Sequence, residues 1–169
     1  MKKKYILLSI PALLLLISLG WYFSDKQLIK RQLTELTQNL TKEKDEPTLE
    51  TGFKLREIKQ MLASEVRALV PERNYEQSHA RDMIIRYLMY YRDRYETLTV
   101  SFDSLLIELP AKDEARVSAT VLMQRQGTRN GLEEFSEPVE LLLQKNKEEE
   151  KGGRKWRLVQ GTVPVSLIE

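Results

Sequence analysis

The residues of this 169-residue chain best suited to chemistry surround its single histidine. His79 follows Ser78, and Asp82 comes three residues later. Histidine is the commonest general base near neutral pH, and a neighbouring carboxylate can orient its imidazole. A solvent-exposed helix start contains the same residue types, because serine caps helices and aspartate suits the first turn. We therefore predict that Ser78 caps a helix and that His79 is dispensable.

Asp103 and a row of tyrosines are the remaining candidates. Asp103 lies in a predicted strand; a carboxyl group facing an apolar interior is tuned for proton transfer. Because aspartate is rarely buried without a partner, we expect it to face solvent. Tyr87, Tyr91 and Tyr95 recur at helical spacing, which is typical of core residues, yet buried tyrosine hydroxyls need partners. These four residues are therefore candidates for binding a ligand or partner, and no residue is assigned a catalytic role.

Composition argues against metal and nucleic-acid sites. One histidine and no cysteine do not supply the usual metal ligand set, so we predict no metal and no cofactor. Nucleic-acid binding needs a concentrated basic patch. The net charge of +2 is accounted for by lysines at the N-terminus, namely Lys2, Lys3 and Lys4. The rest of the chain is close to neutral, and no nucleic-acid partner is expected.

Those three lysines precede an uncharged run from Tyr5 to Phe23. A helix over this run would be roughly 28 Å long, close to the hydrocarbon thickness of a bilayer. Trp21 and Tyr22 at its far end suit the headgroup region. We predict that residues 1–24 anchor the chain in the lipid bilayer of a bacterial inner membrane. The protein would then be single-pass, with residues 25–169 forming one domain in the periplasm.

A cleaved signal peptide is the alternative for this segment. Ser18 and Gly20 are small residues at the two positions that a signal peptidase inspects. Against cleavage, the apolar run is long for a signal core and continues through the candidate site.

Three helices are expected after the anchor. Ser24 and Gln27 have the spacing of a capping box, which predicts a helix start. A second helix is predicted from Thr51 to Val70, where Pro71 ends it. The third follows Ser78 and carries the strongest helical stripe in the chain.

Four strands are expected after the helices. Leu98 to Leu109 is rich in apolar and β-branched residues, and Ala115 to Met123 alternates apolar with polar residues. Phe135 to Lys145 makes a third strand, whose Pro138 indicates an edge or bulge. A last strand runs from Lys155 to Leu167. The order predicts an α+β fold with three helices packed on a curved four-stranded antiparallel sheet.

Three segments resemble one known superfamily. They are the helix running into a strand from Met83 to Val100, the alternating strand from Ala115 to Met123, and the closing strand from Gly153 to Val159 with its Trp156. Residues 25–168 resemble the nuclear-transport-factor-2-like superfamily, a cone-shaped α+β fold also used by ketosteroid isomerases. The resemblance implies a cone, with Trp156 packed against its helices. The acid–base groups of the family's enzymes have no residue-by-residue match here.

Two functions are consistent with these observations. The first is a membrane-tethered, non-catalytic binding or assembly module of the bacterial cell envelope, holding an envelope protein partner or a small apolar ligand. The alternative is a small-molecule isomerase or dehydratase with an acid–base site inside the cone, for which Asp103, His79 and the tyrosines supply the groups. The oligomeric state is left open.

Overall fold

The computed structural model describes residues 24–127, 131–146 and 156–164. The described residues form three α-helices, one 3-10 helical turn and six strands, in this chain order: α1 (Asp25–Leu40), α2 (Thr48–Met61), β1 (Leu62–Val70), the 3-10 turn (Pro71–Arg73), β2 (Tyr75–Ala80), α3 (Arg81–Asp93), β3 (Thr97–Ala111), β4 (Glu114–Gln126), β5 (Leu132–Lys145) and β6 (Trp156–Thr162).

The strands make one sheet in the order β2-β1-β6-β5-β4-β3. Every neighbouring pair is antiparallel except β1 with β6, which is parallel. The predicted four-stranded antiparallel sheet is therefore wrong: the sheet has six strands and is mixed. The α+β class and the three helices agree with the prediction.

The two additional strands come from the segment that we predicted as the end of the second helix and the start of the third. Helix α2 ends at Met61, and Leu62 is already extended, with φ −92° and ψ 144°. Leu62 and Val66 continue a helical apolar spacing, which is why the sequence suggested a longer helix. Neighbouring strands on both sides satisfy the backbone of β1 instead, and such long-range pairing overrides a local periodicity.

The turn between β1 and β2 explains how this hairpin closes. Pro71 opens the 3-10 turn, and Asn74 follows it in the left-handed region with φ 48°. Asparagine tolerates this conformation better than most residues. The hairpin then pairs Val70 with Tyr75 and continues to Glu65 with Ala80.

The start of α3 also differs from the prediction. Ser78 lies within β2 and is exposed, and α3 begins at Arg81 after Ala80, which makes no side-chain capping bond. Ser78 is therefore not a helix cap. The predicted cap of α1 is confirmed, because the backbone N–H of Gln27 donates to Ser24 Oγ at 3.4 Å.

The main core lies between α1 and the sheet. Ile29 and Leu33 of α1 pack in one cluster with Trp156, which is fully buried. The inward residues of β4 alternate as predicted, with Ala115 and Val117 in this same cluster. The expected packing of Trp156 against the helical layer is confirmed.

The membrane prediction needs correction. Residues 1–23, which include Lys2, Lys3, Lys4, Trp21 and Tyr22, lie outside the described residues. Among the residues that the structure describes, no helix is long and apolar enough to cross a membrane. This finding contradicts two predictions. They are the fold with a transmembrane helix and the single-pass inner-membrane location that depends on it.

Candidate functional site

A cavity of about 820 Å³ lies between α3 and the sheet, and we call it the cone cavity. Its wall is mainly apolar, with Leu62, Val66, Val70, Ile84, Leu158 and Val163 among the lining residues. Its rim carries three exposed tyrosines, Tyr75 on β2 with Tyr87 and Tyr90 on α3. The cavity therefore opens between β2 and α3.

A second space of about 430 Å³ lies beneath α1 and α3, beside the cone cavity, and we call it the inner lobe. The two spaces share wall residues from three elements, among them Tyr91 of α3, Leu141 of β5 and Leu158 of β6. Leu98, Phe102 and Met123 line only the inner lobe. The two spaces are thus adjacent and mainly apolar, and their linings together extend from β2 to β3.

His79 lies on the wall of the cone cavity. In the β1–β2 pair it stands directly opposite Val66, which is buried. Residues directly opposite in an antiparallel pair point to the same face of the sheet, so His79 points to the cavity side. Its ring meets Tyr87 edge-on, with centroids 6.2 Å apart. The helix-start environment that we predicted for His79 is wrong.

Asp82 does not orient this imidazole. Its carboxylate accepts from Lys59 Nζ at 2.6 Å, and this hydrogen bond is the main cause that lowers the pKa of Asp82. Asp82 therefore ties the start of α3 to α2. The one ring partner of His79 that the structure shows is Tyr87.

Tyr91 lines both the cone cavity and the inner lobe, and its hydroxyl group lies on the inner-lobe side, against Met123. Arg125 Nη1 donates to the Tyr91 oxygen at 2.9 Å, and the hydroxyl itself contacts Met123 Sδ at 3.5 Å. Burial raises the pKa of Tyr91, and the hydrogen bond and charge of Arg125 oppose that rise only in part. Because thioether sulfur is a weak acceptor, the Tyr91 hydroxyl can donate its hydrogen bond to a ligand oxygen instead of to Met123.

Arg125 is a site residue that the sequence reasoning missed. Its Nε donates to Glu133 Oε2 at 2.7 Å, and its guanidinium lies 4.2 Å from the Phe135 ring centroid. It occupies the inward-facing parity of β4, two residues after the buried Met123. An arginine at an inward position of a clean alternation is a signal that could have identified it.

The four candidate binding residues, three tyrosines and one aspartate, lie in different places. Tyr87 and Tyr91 both line the interior, with Tyr87 at the rim. Tyr95 packs against Tyr91 with ring centroids 5.1 Å apart and lies outside the lining. Asp103 is exposed at a bulge in β3, where Ser104 Oγ donates to its carboxylate at 3.0 Å. Asp103 is therefore not a group of the cone cavity.

A buried ion pair, also missed from the sequence, holds α3 in place above the cavity. The side chains of Arg92 and Glu46 are each 1% exposed and pair at 2.6 Å. Arg92 also donates to the carbonyls of Asn39 and Leu40 at the end of α1, which otherwise lack helical partners. This cluster joins the end of α1, the loop before α2 and the end of α3.

The described residues contain no group of three or more His, Cys, Asp or Glu side chains that could hold a metal ion. The polar side chains that line the cone cavity are instead an imidazole, tyrosine hydroxyls, Arg73 and Thr162; Arg67 is also in the lining, but its side chain pairs with Glu76 on the other face of the hairpin. This set can exchange a proton with a ligand and hydrogen-bond its oxygen atoms.

The sequence matches no known family model and no curated protein. The structure is similar to several solved structures. One is a candidate scytalone dehydratase from Novosphingobium aromaticivorans, with 12% identity, TM-score 0.58, and coverage of 86% of this chain and 83% of that one. Another is a candidate dehydratase of the NTF2-like family from Streptomyces avermitilis, with 11% identity, TM-score 0.60, and coverage of 82% and 93%.

A third similar structure is a protein named Kfla4162 from Kribbella flavida, with 9% identity, TM-score 0.64, and coverage of 83% of this chain and 89% of that one. Likeness at such identities concerns the fold. The chain shares the fold of these structures, one of which is of the NTF2-like family.

Proposed function

We propose that the chain binds a small, largely apolar molecule in the cone cavity and acts on it as a dehydratase or isomerase, with His79 moving the proton. One observation carries this proposal. The single histidine of the chain lies on the wall of an apolar cavity, and the ring of Tyr87, another lining residue, lies 6.2 Å from its ring. An acid–base group and a hydrogen-bond donor inside one apolar space are the minimum for such chemistry.

For a dehydration, the substrate is a β-hydroxy ketone, whose hydroxyl group is on the second carbon from the carbonyl carbon. The His79 imidazole takes the proton from the carbon between them, and the electron pair moves onto the carbonyl oxygen. The Tyr87 hydroxyl donates to that oxygen as its negative charge develops. The electron pair then returns to form a carbon–carbon double bond as the bond to the hydroxyl group breaks; the imidazolium gives its proton to the departing hydroxyl group, and water leaves. In an isomerisation the proton returns to a different carbon.

Two further facts support an enzyme. The volume of about 820 Å³ lies within the range of roughly 300–1,000 Å³ that is usual for small-molecule sites. Two of the similar solved structures carry names of candidate dehydratases, although identities of 11% and 12% make this an analogy of fold.

A non-catalytic binding module, for a small apolar ligand or a protein partner, is the second candidate. It is favoured by the absence of any carboxylate among the described residues that line the cone cavity and the inner lobe. Without a carboxylate nearby, His79 lacks the orienting partner that many catalytic histidines have.

Deuterium exchange separates these two candidates. β-Tetralone, an apolar bicyclic ketone, is incubated with the full chain in heavy water, and exchange at the carbons beside its carbonyl is followed by NMR. We expect exchange above the buffer rate, slowed roughly a hundred- to ten-thousand-fold by His79→Gln. Tyr87→Phe should slow it roughly a hundredfold.

Ser78→Ala is the matched control, because Ser78 neighbours His79 but is exposed and does not line the cavity. This variant should exchange β-tetralone at the wild-type rate. If β-tetralone binds in a titration but exchanges no faster than in buffer, the enzyme proposal fails and the binding module replaces it.

A further inference from the structure

The inner lobe has the size and the lining of a binding site separate from the cone cavity. Its volume of about 430 Å³ lies within the range of roughly 300–1,000 Å³ that is usual for small-molecule sites. None of its described lining residues carries a charge, and most are apolar, for example Leu98, Phe102 and Val139. His79 lines only the cone cavity. A molecule in the inner lobe must therefore be mainly apolar, because burying an unpaired polar group is costly.

One hydroxyl group in this lining has only a weak acceptor for its proton. The described polar lining residues are Tyr87, Tyr91 and Thr162. Thr162 Oγ1 is engaged with β5, because it accepts from the backbone N–H of Glu140 at 2.7 Å. Tyr87 is 59% exposed at the rim. For the Tyr91 O–H, the hydrogen-bond acceptor in the structure is Met123 Sδ at 3.5 Å, and thioether sulfur is a weak acceptor.

Arg125 makes the Tyr91 hydroxyl a better donor. Its Nη1 donates to the Tyr91 oxygen at 2.9 Å, and its charge is balanced by Glu133, which accepts from its Nε at 2.7 Å. Hydrogen bonds in such a chain polarise one another, so the bond from the guanidinium strengthens donation by the O–H. Burial raises the pKa of Tyr91, so the hydroxyl keeps its proton near neutral pH. Tyr95, whose ring packs on Tyr91, affects this pKa less than Arg125 does.

We propose that the inner lobe is a second ligand site, which takes a mainly apolar molecule with one oxygen that accepts a hydrogen bond, such as an aromatic ketone or ether. The Tyr91 O–H turns from Met123 Sδ to that oxygen, which is the stronger acceptor. The apolar body of the molecule packs against Leu98, Phe102 and their neighbours in the lining. This inference goes beyond the proposed function and does not rest on it, because His79 takes no part.

The test compares benzophenone with diphenylmethane, which has a methylene group in place of the carbonyl group. Benzophenone has no hydrogen on the carbons beside its carbonyl group, so it cannot undergo the exchange that tests the proposed function. The full chain is isotope-labelled at its methionine methyl groups, and each ligand is titrated by NMR. The Met123 signal, assigned with Met123→Leu, should shift with either ligand. The signals of methionines that line neither space should stay, namely those of Met61, Met83 and Met89.

The shift of the Met123 signal then gives the dissociation constants of the variants. Tyr91→Phe should weaken the binding of benzophenone roughly tenfold, because the buried carbonyl oxygen loses its donor. Diphenylmethane makes no hydrogen bond, so its dissociation constant should change by less than about twofold. Tyr90→Phe is the matched control: it removes the same hydroxyl group from α3, and Tyr90 lines the cone cavity but not the inner lobe. It should leave both dissociation constants unchanged.

Three results would overturn the inference. A Met123 signal that stays in place in the unaltered chain would exclude the inner lobe as the site. An unchanged ratio of the two dissociation constants in Tyr91→Phe would show that the hydroxyl is not the donor. Equal weakening of benzophenone in Tyr90→Phe would assign the effect to α3 as a whole. The proposed function fails separately, because His79→Gln should slow the β-tetralone exchange and leave the benzophenone titration as it is.

Discussion

At the scale of single residues, His79 shows how a register position decides the role of a side chain. The same imidazole would be in water if β2 were a helix start, and it lines a cavity because β2 pairs with β1. The sequence predicts that Ser78 matters for stability as a helix cap and that His79 is dispensable. The structure removes the basis of both predictions, since Ser78 is exposed in a strand and His79 faces the cavity; it is the proposed function that gives His79 a role.

The buried pair of Glu46 and Arg92 gives a prediction at this scale. Burial raises the pKa of Glu46, but hydrogen bonds from Lys54 and Thr51 and the charge of Arg92 outweigh it, so the pKa lies below its ordinary value of 4.5. A carboxyl group with a lowered pKa in the folded state stabilises that state above its unfolded pKa. This stabilisation is lost as pH falls below about 4.5 and through the folded pKa.

Glu46→Gln should therefore reduce the free energy of unfolding by about 3–5 kcal/mol at neutral pH, because it leaves Arg92 buried without its counter-charge. The variant should also lose less stability than the wild type on acidification. Urea unfolding at neutral and acidic pH measures both effects. Glu50→Gln is the control: its side chain is 50% exposed and pairs with the same Lys54, so the cost should be about 0–1 kcal/mol.

At the scale of elements, the β1–β2 hairpin depends on the conformation of Asn74. Its φ of 48° lies in the left-handed region, which costs most residues about 1–2 kcal/mol. Asn74→Val should therefore lower the free energy of unfolding by about that amount or more, whereas Asn74→Gly should be close to neutral. Thermal and urea unfolding measure the difference. Equal stability of the two variants would mean that this turn has another conformation.

The last described strand gives a second prediction for an element. Trp156 is fully buried between β6 and α1, where Gln32 Nε2 donates to its carbonyl at 3.0 Å. Trp156→Ala should lower the free energy of unfolding by about 3–5 kcal/mol, as expected for truncation of a buried aromatic residue. Leu132→Ala is the comparison, because Leu132 is 59% exposed and should change stability by no more than about 0.5 kcal/mol. Similar effects of the two variants would contradict the register of β6.

At the scale of the whole molecule, the interior is formed by elements from both ends of the described chain. The hairpin of β1 and β2 closes one side of the cone cavity, and β3 and β4 close the far side of the inner lobe. The fold itself is compatible with many activities, so function must be argued from the groups in this interior. An imidazole, neighbouring tyrosines and a mainly apolar wall are the features that distinguish this cone.

The sequence alone was sufficient wherever a local pattern determines the structure. The cap at Ser24 and the alternation from Ala115 to Met123 followed from spacing and residue type, and the buried position of Trp156 followed from the resemblance of the closing strand. These features depend on contacts within a few residues or on one strand face, and the period of the pattern reports them directly.

Only the tertiary structure decided the conformation of Leu62–Val70 and the position of His79. The segment has a helical apolar spacing, and its extended state is stabilised by pairing with β2 and with the distant β6. The partners of Arg92 are likewise 46 to 53 positions away along the chain. Pairing across such distances leaves no period in the local sequence, so neither the six-stranded sheet nor the wall of the cone cavity could be derived from it.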